Sequence, residues 1–237
     1  MKCLILASGF ATRLYPLTLN RAKPLLPYKG RPLLSHIVDS LPEDMEIFIT
    51  VNKKFEDEFR AWQKGLKRKV ELVVEDVWTE DQSLGAIGSL INAVRTKSID
   101  DDLMVLAGDN YFEFSVDNFC ESCNGENALI AVCDIQNREE AKQLGVISVE
   151  GRKVTEFEEK PAEPKSSLVA TGCYILPARL LPHLEEYCAS GRRDNLGEFI
   201  RYLVENDEVH SWAFTDTWLD IGTEYSTKKN DVLPPES

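Results

Sequence analysis

The chain has 237 residues and a formal net charge of −13, which predicts one α/β domain with a single sizeable core rather than two small ones. The acidic balance argues against nucleic acid or an anionic membrane surface as a partner, and it requires any anionic substrate to find its cations locally or through metal ions. No apolar run approaches the roughly 18 residues that a membrane-spanning helix needs.

Residues 4–7 form an apolar run that reads as a buried first strand. The N-terminus looks like a signal peptide only until Gly9, Thr12 and Arg13 interrupt it. Ser8, Gly9 and Ala11 are small, so successive backbone N–H groups there can approach an anion closely. Arg13 and Lys23 add two fixed cations. A strand, a small-residue turn and two cations make a candidate polyphosphate cradle, but an ordinary βα turn with solvated charges fits this stretch equally well.

Pro32 opens a predicted helix to Leu41. A strand is predicted over 46–51, a helix over 55–66, a strand over 70–74, a helix over 84–94 and a strand over 103–106. Ser115 is a predicted N-cap for a helix through Cys123, and 128–132 reads as another buried strand. Beyond Ile135 the pattern changes. A short charged helix (137–144) precedes a hairpin (145–149 and 154–158) turning at Glu150-Gly151. Then follow a strand (169–176), helices starting at Pro177 and Leu196, and short strands over 209–214 and 218–221. The tail at 233–237 is expected to fray.

The first part therefore reads as βαβ units with a mostly parallel sheet and right-handed crossovers, and the second as a smaller α+β half. Ligands of open α/β sheets lie beyond the carboxyl ends of the strands, where both the 8–13 loop and Gly108-Asp109 fall. The six cysteines are scattered, several within apolar runs, which predicts buried free thiols and a cytoplasmic, reducing location. Cys120 and Cys123 form a lone C-x-x-C without a second pair or nearby His, so zinc is not expected. His36, His183 and His210 lie in no motif and read as structural.

Three acidic segments carry candidate chemistry. Asp109, at the mouth of the buried strand L-M-V-L-A, suits a hard oxygen-seeking cation; it also suits a plain turn. Asp220 alternates with apolar Leu219 and Ile221, so its side chain points away from theirs; a metal shared with Asp109 or an exposed turn would both accommodate it. In F-E-E-K-P, Lys160 offers a point charge for a phosphate and Glu159 an acceptor for sugar hydroxyls, although E-E-K commonly ends a solvated strand.

Taken together and in order, these segments resemble sugar-phosphate nucleotidylyltransferases. The stretch L-A-S-G-F-A-T-R-L, then P-L-T, then K-P-L-L-P is similar to that family's opening signature, with Ser8 and Ala11 replacing two of its usual glycines. G-D-N at 108–110, L-G-V-I at 144–147, E-E-K-P at 158–161, A-T-G-C-Y at 170–174 and W-L-D-I-G-T at 218–223 follow. The similarity is nearest the short glucose-1-phosphate thymidylyltransferase type. It implies a Rossmann-like (GT-A-like) nucleotidyltransferase fold with a nucleotide-binding half (1–135) and a sugar-phosphate-binding half (136–232), and no C-terminal β-helix. It further implies that Leu6, Ala7, Ser8, Gly9, Ala11 and Thr12 meet the nucleotide. Gly85 would lie against the base, with Gln82 nearby. Arg13 and Lys23 would contact the phosphates, and Asp109 and Asp220 would hold Mg²⁺, making Arg13, Lys23 and Asp109 the catalytic set. Lys160 would hold the sugar phosphate, with Gly145, Glu159 and the Ala170-Thr171 backbone lining the hexose pocket.

The implied substrates are a nucleoside triphosphate (dTTP or UTP) and a sugar 1-phosphate (glucose 1-phosphate first), with no nucleic-acid or membrane partner and an open oligomeric state. Rivals are a cytidylyltransferase acting on phosphocholine or a polyol phosphate, a mannose-1-phosphate guanylyltransferase, and an inactive nucleotide-sugar-binding regulatory subunit. A dinucleotide-binding dehydrogenase and a P-loop kinase are excluded, because neither G-x-G-x-x-G nor G-x-x-x-x-G-K-[ST] occurs.

Overall fold

The computed structural model describes residues 1–189, 191 and 195–221. The predicted frayed tail and the Gly222-Thr223 end of W-L-D-I-G-T lie outside the described residues. The first half contains β1 (Lys2–Leu6), a small hairpin of β2 (Pro27–Tyr28) and β3 (Arg31–Pro32), α1 (Leu33–Ser40), β4 (Glu46–Asn52), α2 (Glu56–Gln63), β5 (Glu71–Glu75), α3 (Gly85–Thr96) and β6 (Leu103–Ala107). After these come β7 (Asn110–Phe112), α4 (Val116–Glu121), β8 (Ala128–Asp134), α5 (Arg138–Ala141), β9 (Gly145–Glu150), β10 (Lys153–Glu159) and β11 (Leu168–Leu176). The described part ends with α6 (Leu181–Ala189), α7 (Leu196–Asn206), β12 (Val209–Phe214) and β13 (Trp218–Asp220).

Caps set several helix starts. Ser115 Oγ accepts from the Asn118 N–H at 3.2 Å, as its position before α4 predicts. Asn195 Oδ1 accepts from the Gly197 N–H at 2.8 Å at the start of α7. The predicted 55–66 helix is shorter: a 3₁₀ turn over Lys53–Phe55, capped by the Asn52 side chain, leads into α2.

One nine-stranded sheet runs through both halves in the order β5-β4-β1-β6-β11-β8-β12-β10-β9. The ladders β5–β4, β4–β1 and β1–β6 are parallel, as the βαβ pattern predicts. The sheet is nonetheless mixed, because β11 inserts antiparallel between β6 and β8. The cause is connectivity. The β9–β10 hairpin brings the chain back so that β11 enters from the opposite end, which no local periodicity in 168–176 encodes. The curl of this half is strong enough that β9 pairs again with β11, Val146 opposite Val169.

Alternation along the strands separates two apolar layers. Cys3, Ile5, Ile47 and Ile49 face α1, α2 and α4. Leu4, Phe48, Val105 and Ile130 face α3, α6 and α7. Phe59, Phe119, Phe157 and Phe199 are among the largest side chains fully inside, and truncating any one to Ala costs roughly 3–5 kcal/mol.

The cysteines are free thiols. Burial pushes Cys173 up to about 12 and Cys120 up to about 11, so both stay protonated and unreactive at neutral pH. Among the described residues no helix is long and apolar enough to cross a membrane.

Candidate active site

The site begins where β1 ends. The Ala7 N–H donates to Thr50 Oγ1 at 3.1 Å, and Asn52 Nδ2 donates to the Ser8 carbonyl at 3.1 Å. Both partners are fully buried at the end of β4, so the inner side of the loop is tied to the sheet. Ser8 Oγ lies 3.0 Å from Ser89 Oγ of α3. The loop then turns outward at exposed Gly9, and Phe10 re-enters the core beside Phe55. Ala11 adopts the left-handed conformation (φ 49°). That geometry is why a glycine suits this position, and the methyl group costs about 1–2 kcal/mol there. Thr12 Oγ1 donates to Glu80 Oε1 at 3.0 Å, joining this loop to the one before α3.

Close approach of two strand ends delivers the first carboxylate. The Gly108 N–H donates to the Leu6 carbonyl at 2.9 Å. A Cβ at Gly108 would stand 2.8 Å from that oxygen, so only glycine lets Asp109 follow directly at the loop. The second carboxylate arrives on a separate two-stranded ribbon of β7 and β13, in which Asp220 stands opposite Asn110. The Ile221 N–H donates to the Asp109 carbonyl at 3.1 Å and closes the ribbon at its business end. Lys23 comes from a 3₁₀ turn whose Pro24 and Leu25 are buried. Its Nζ lies 2.6 Å from Asp109 Oδ2 and 3.8 Å from Asp220 Oδ1. Two acidic side chains 111 residues apart in sequence thus meet over one ammonium.

A cleft of about 1290 Å³ opens over this group. Of the residues singled out in the sequence, Leu6, Ala7, Gly9, Ala11, Thr12 and Arg13 line it on one side. Lys23, Asp109, Asp220 and Lys160 line it as well. Arg13 is exposed. The Lys160 backbone is also left-handed (φ 47°), and its N–H donates to the Leu144 carbonyl at 3.0 Å; Nζ is 3.8 Å from Glu159 Oε1.

Other singled-out residues sit behind or beside the cleft wall. Ser8 points its hydroxyl inward to Ser89. Gln82 is exposed, and its Oε1 accepts from the Trp78 N–H at 3.0 Å, folding the 76–83 loop onto itself. Gly85 starts α3 with φ 72°, its N–H donating to Ser83 Oγ at 3.3 Å. Glu159 packs its carboxylate against Gly145 and Gly197, where a side chain at Gly197 would collide with it. Ala170 is buried. Thr171 spends its hydroxyl on the Ala131 carbonyl (2.8 Å), and its carbonyl accepts from Trp218 Nε1 (3.2 Å).

Sequence reasoning did not single out Glu80 or Trp218 as cleft residues, although both line it. Trp218 lies in W-L-D-I-G-T, where Asp220 is the residue whose charge suggests chemistry. Glu80 carried no signal, because its role depends on the loop path. The histidines hold structural partners: His36 Nε2 lies 2.8 Å from the Tyr28 carbonyl, and His183 and His210 lie beside Glu186 and Glu208.

The donor chemistry suits a hard divalent cation. Among the described residues there is no group of three or more His, Cys, Asp or Glu side chains placed to hold a metal. Asp109 and Asp220 supply two carboxylates, and Mg²⁺ is commonly held by one or two carboxylates together with substrate phosphates. Beside them Asn110 Oδ1 is buried without a hydrogen-bond partner among the described residues, which leaves one further oxygen donor next to the pair.

Known proteins resemble this chain over most of its length. The bifunctional protein GlmU of Methanocaldococcus jannaschii is 27% identical over 225 residues, covering 94% of this chain and 51% of that protein. The mannose-1-phosphate guanyltransferase of Emericella nidulans is 28% identical over 240 residues, covering 94% of this chain and 61% of that protein. The chain thus spans about half the length of the GlmU protein it matches. Among solved structures, one from Bacillus anthracis, assigned as a glucose-1-phosphate thymidylyltransferase and crystallised with sucrose, superposes with a TM-score of 0.83 at 26% identity, over 97% of this chain and 93% of that one. A family model described as Nucleotidyl transferase matches residues 2–230. That match runs from β1 past β13, through the signature loop and both carboxylate segments, and by it the chain belongs to the nucleotidyl transferase family.

Proposed function

We propose that the protein joins a sugar 1-phosphate to a nucleoside triphosphate, releasing pyrophosphate. The observation that carries this reading is the meeting of Asp109, Asp220 and Lys23 in a cleft that Arg13 and Lys160 also line. Arg13, Lys23 and Lys160 line the cleft together with six carboxylates, so two polyanionic substrates would need those cations and a bound metal ion together. Arg13 and Lys23 would bind and orient the triphosphate, and Lys160 would hold the sugar phosphate in line with the α-phosphorus. The sugar phosphate oxygen is already an anion at neutral pH. No general base is therefore needed, and positioning with charge neutralisation supplies the rate. Mg²⁺, held by Asp109 and Asp220, would neutralise charge that develops on the phosphate oxygens when bound. The Thr12–Glu80 hydrogen bond would keep the two loops at the cleft's nucleotide end in register.

Glucose 1-phosphate with dTTP or UTP is the first assignment, supported by the likeness to the Bacillus anthracis structure. Mannose 1-phosphate with GTP is the second, favoured by the Emericella relative. The test is pyrophosphate release with Mg²⁺ for each of four triphosphates against glucose, mannose, glucosamine, choline and glycerol-type phosphates. Release with a hexose phosphate supports the reading; release only with phosphocholine or a polyol phosphate replaces it, and none at all sinks it. Asp109→Asn should lower the rate on the order of 10²–10³-fold or more, as removing one electrostatic stabiliser does, measured at a temperature where the variant is folded, because the change also takes the charged partner from the Lys23 ammonium.

A further inference from the structure

The position of Lys23 carries a consequence for how a divalent cation reaches the acidic pair. Its ammonium lies 2.6 Å from Asp109 Oδ2 and 3.8 Å from Asp220 Oδ1, between the two carboxylates. The side chain is only 11% exposed. Its backbone cannot withdraw readily, because Pro24 and Leu25 are buried on one side. On the other side Ala22 is 1% exposed, with its N–H donating to Glu58 Oε2 at 2.9 Å. Any displacement of the ammonium must therefore come from rotation of the side-chain stem.

We propose that Lys23 occupies the place of the divalent cation in the protein without substrate, so that the metal binds only together with a triphosphate that draws the ammonium away. The inference rests on the reading of Asp109 and Asp220 as metal ligands. Mg²⁺ would need to come within about 2.1 Å of carboxylate oxygens, and an ammonium already hydrogen-bonded to one of them stands in that space and repels the ion. Triphosphate oxygens offer the ammonium a new anionic partner. Rotation toward them removes the repulsion and leaves both carboxylates to the metal. Metal and nucleotide affinities are then coupled through one side chain, and thermodynamic linkage makes the coupling reciprocal. Arg13 does not compete for this role, since it forms no ion pair among the described residues and sits exposed at the rim.

The test needs no turnover. Mn²⁺ binding, followed by the electron paramagnetic resonance signal of the free ion, is measured on the wild-type chain, on Lys23→Met, on Asp109→Asn and on Lys23→Met with Asp109→Asn. Without nucleotide, Lys23→Met should bind Mn²⁺ at least about tenfold more tightly than wild type, within the usual range of coupling between sites. The double variant should lose that gain. Equal or weaker Mn²⁺ binding in Lys23→Met overturns the proposal, as does a gain that survives Asp109→Asn. If Lys23→Met does not fold, Lys23→Gln takes its place, with the same gain of at least about tenfold expected and the same results overturning the proposal. If Asp109→Asn leaves Mn²⁺ binding unchanged in every background, the metal-ligand reading itself fails. If it abolishes binding while Lys23→Met matches wild type, only the gating role fails.

Discussion

Gly172 offers a test of how the sheet supports the acidic pair. It sits within β11, in the segment where the register to β8 slips between Ala170 and Tyr174, with φ at 72°. A Cβ there would stand 2.9 Å from Ala107 Cβ and 2.9 Å from Asn110 Nδ2. Gly172→Ala thus incurs two costs. A left-handed backbone carrying a side chain costs about 1–2 kcal/mol. Forcing a methyl group into a filled site costs about 1–3 kcal/mol more. The sum, roughly 2–5 kcal/mol, is a large part of the ~5–15 kcal/mol stability of a typical domain and would lower the melting temperature by roughly 4–20 °C. Gly151 provides the control. It is also left-handed (φ 62°), in the hairpin turn, but nothing lies within 4 Å of its Cβ position, so Gly151→Ala should show only the first cost.

The two variants also differ in where the strain goes. Asn110 Nδ2 donates to Asp109 Oδ1 at 3.3 Å. A displaced Asn110 releases that carboxylate, so Gly172→Ala should lose pyrophosphate release well below its melting temperature, whereas Gly151→Ala should not. Urea unfolding of both variants gives the difference directly. If the two are destabilised equally, or if Gly172→Ala keeps full activity, the argument that β11 braces Asp109 through Asn110 is wrong.

Glu75 is 4% exposed, and its Oε1 has no partner among the described residues. Burial raises its carboxyl above the ordinary 4.5, only partly opposed by the Ser89 and Ser8 hydroxyls. The stability tied to its protonated form is complete below pH 4.5 and is lost as pH rises through the raised value. Glu75→Gln, neutral throughout, should therefore gain on wild type between acidic pH and pH ~8; a stability gap that does not move with pH in urea titrations would count against this. Trp218→Phe removes the indole donor from the Thr171 carbonyl and should cost about 1–3 kcal/mol in the same assay, with no loss expected if water replaces the donor freely. Lys160→Met should raise KM for the sugar phosphate while leaving KM for the triphosphate within about twofold, since a remote point charge contributes to one substrate only; equal changes in both would remove Lys160 from the sugar-phosphate end.

Local pattern carried much of the fold. The buried runs of β1, β4, β6 and β8 and the Ser115 cap are each encoded within a few residues, and each forms where its pattern places it; the hairpin also forms, but it turns at Gly151-Arg152, one residue later than expected, because Glu150 pairs with Lys153 in the ladder. The antiparallel entry of β11 is not local, because it depends on the path of the hairpin before it. At the site, the meeting of Asp109 and Asp220 was readable only by resemblance, since it is made by pairing β7 with β13 across more than a hundred residues. The side chains of Gln82 and Thr171 illustrate the limit. Both are polar and are expected at the site, yet one closes its own loop and the other a strand crossing. No composition argument separates a polar group that faces a ligand from one that satisfies the backbone.

The return of β9 to β11 also shapes the outer border of the molecule. At that end the ladder rejoins itself, and among the described residues β5 is the terminal strand at the other end, paired only with β4. β5 is five residues long and has a glutamate at each end, and Glu71 is clasped by Lys69 at 2.9 Å and Lys97 at 3.1 Å. A short, charged margin is a poor template for an incoming strand. The chain is thus protected from edge-to-edge polymerisation by closure on one flank and by ionic fencing on the other.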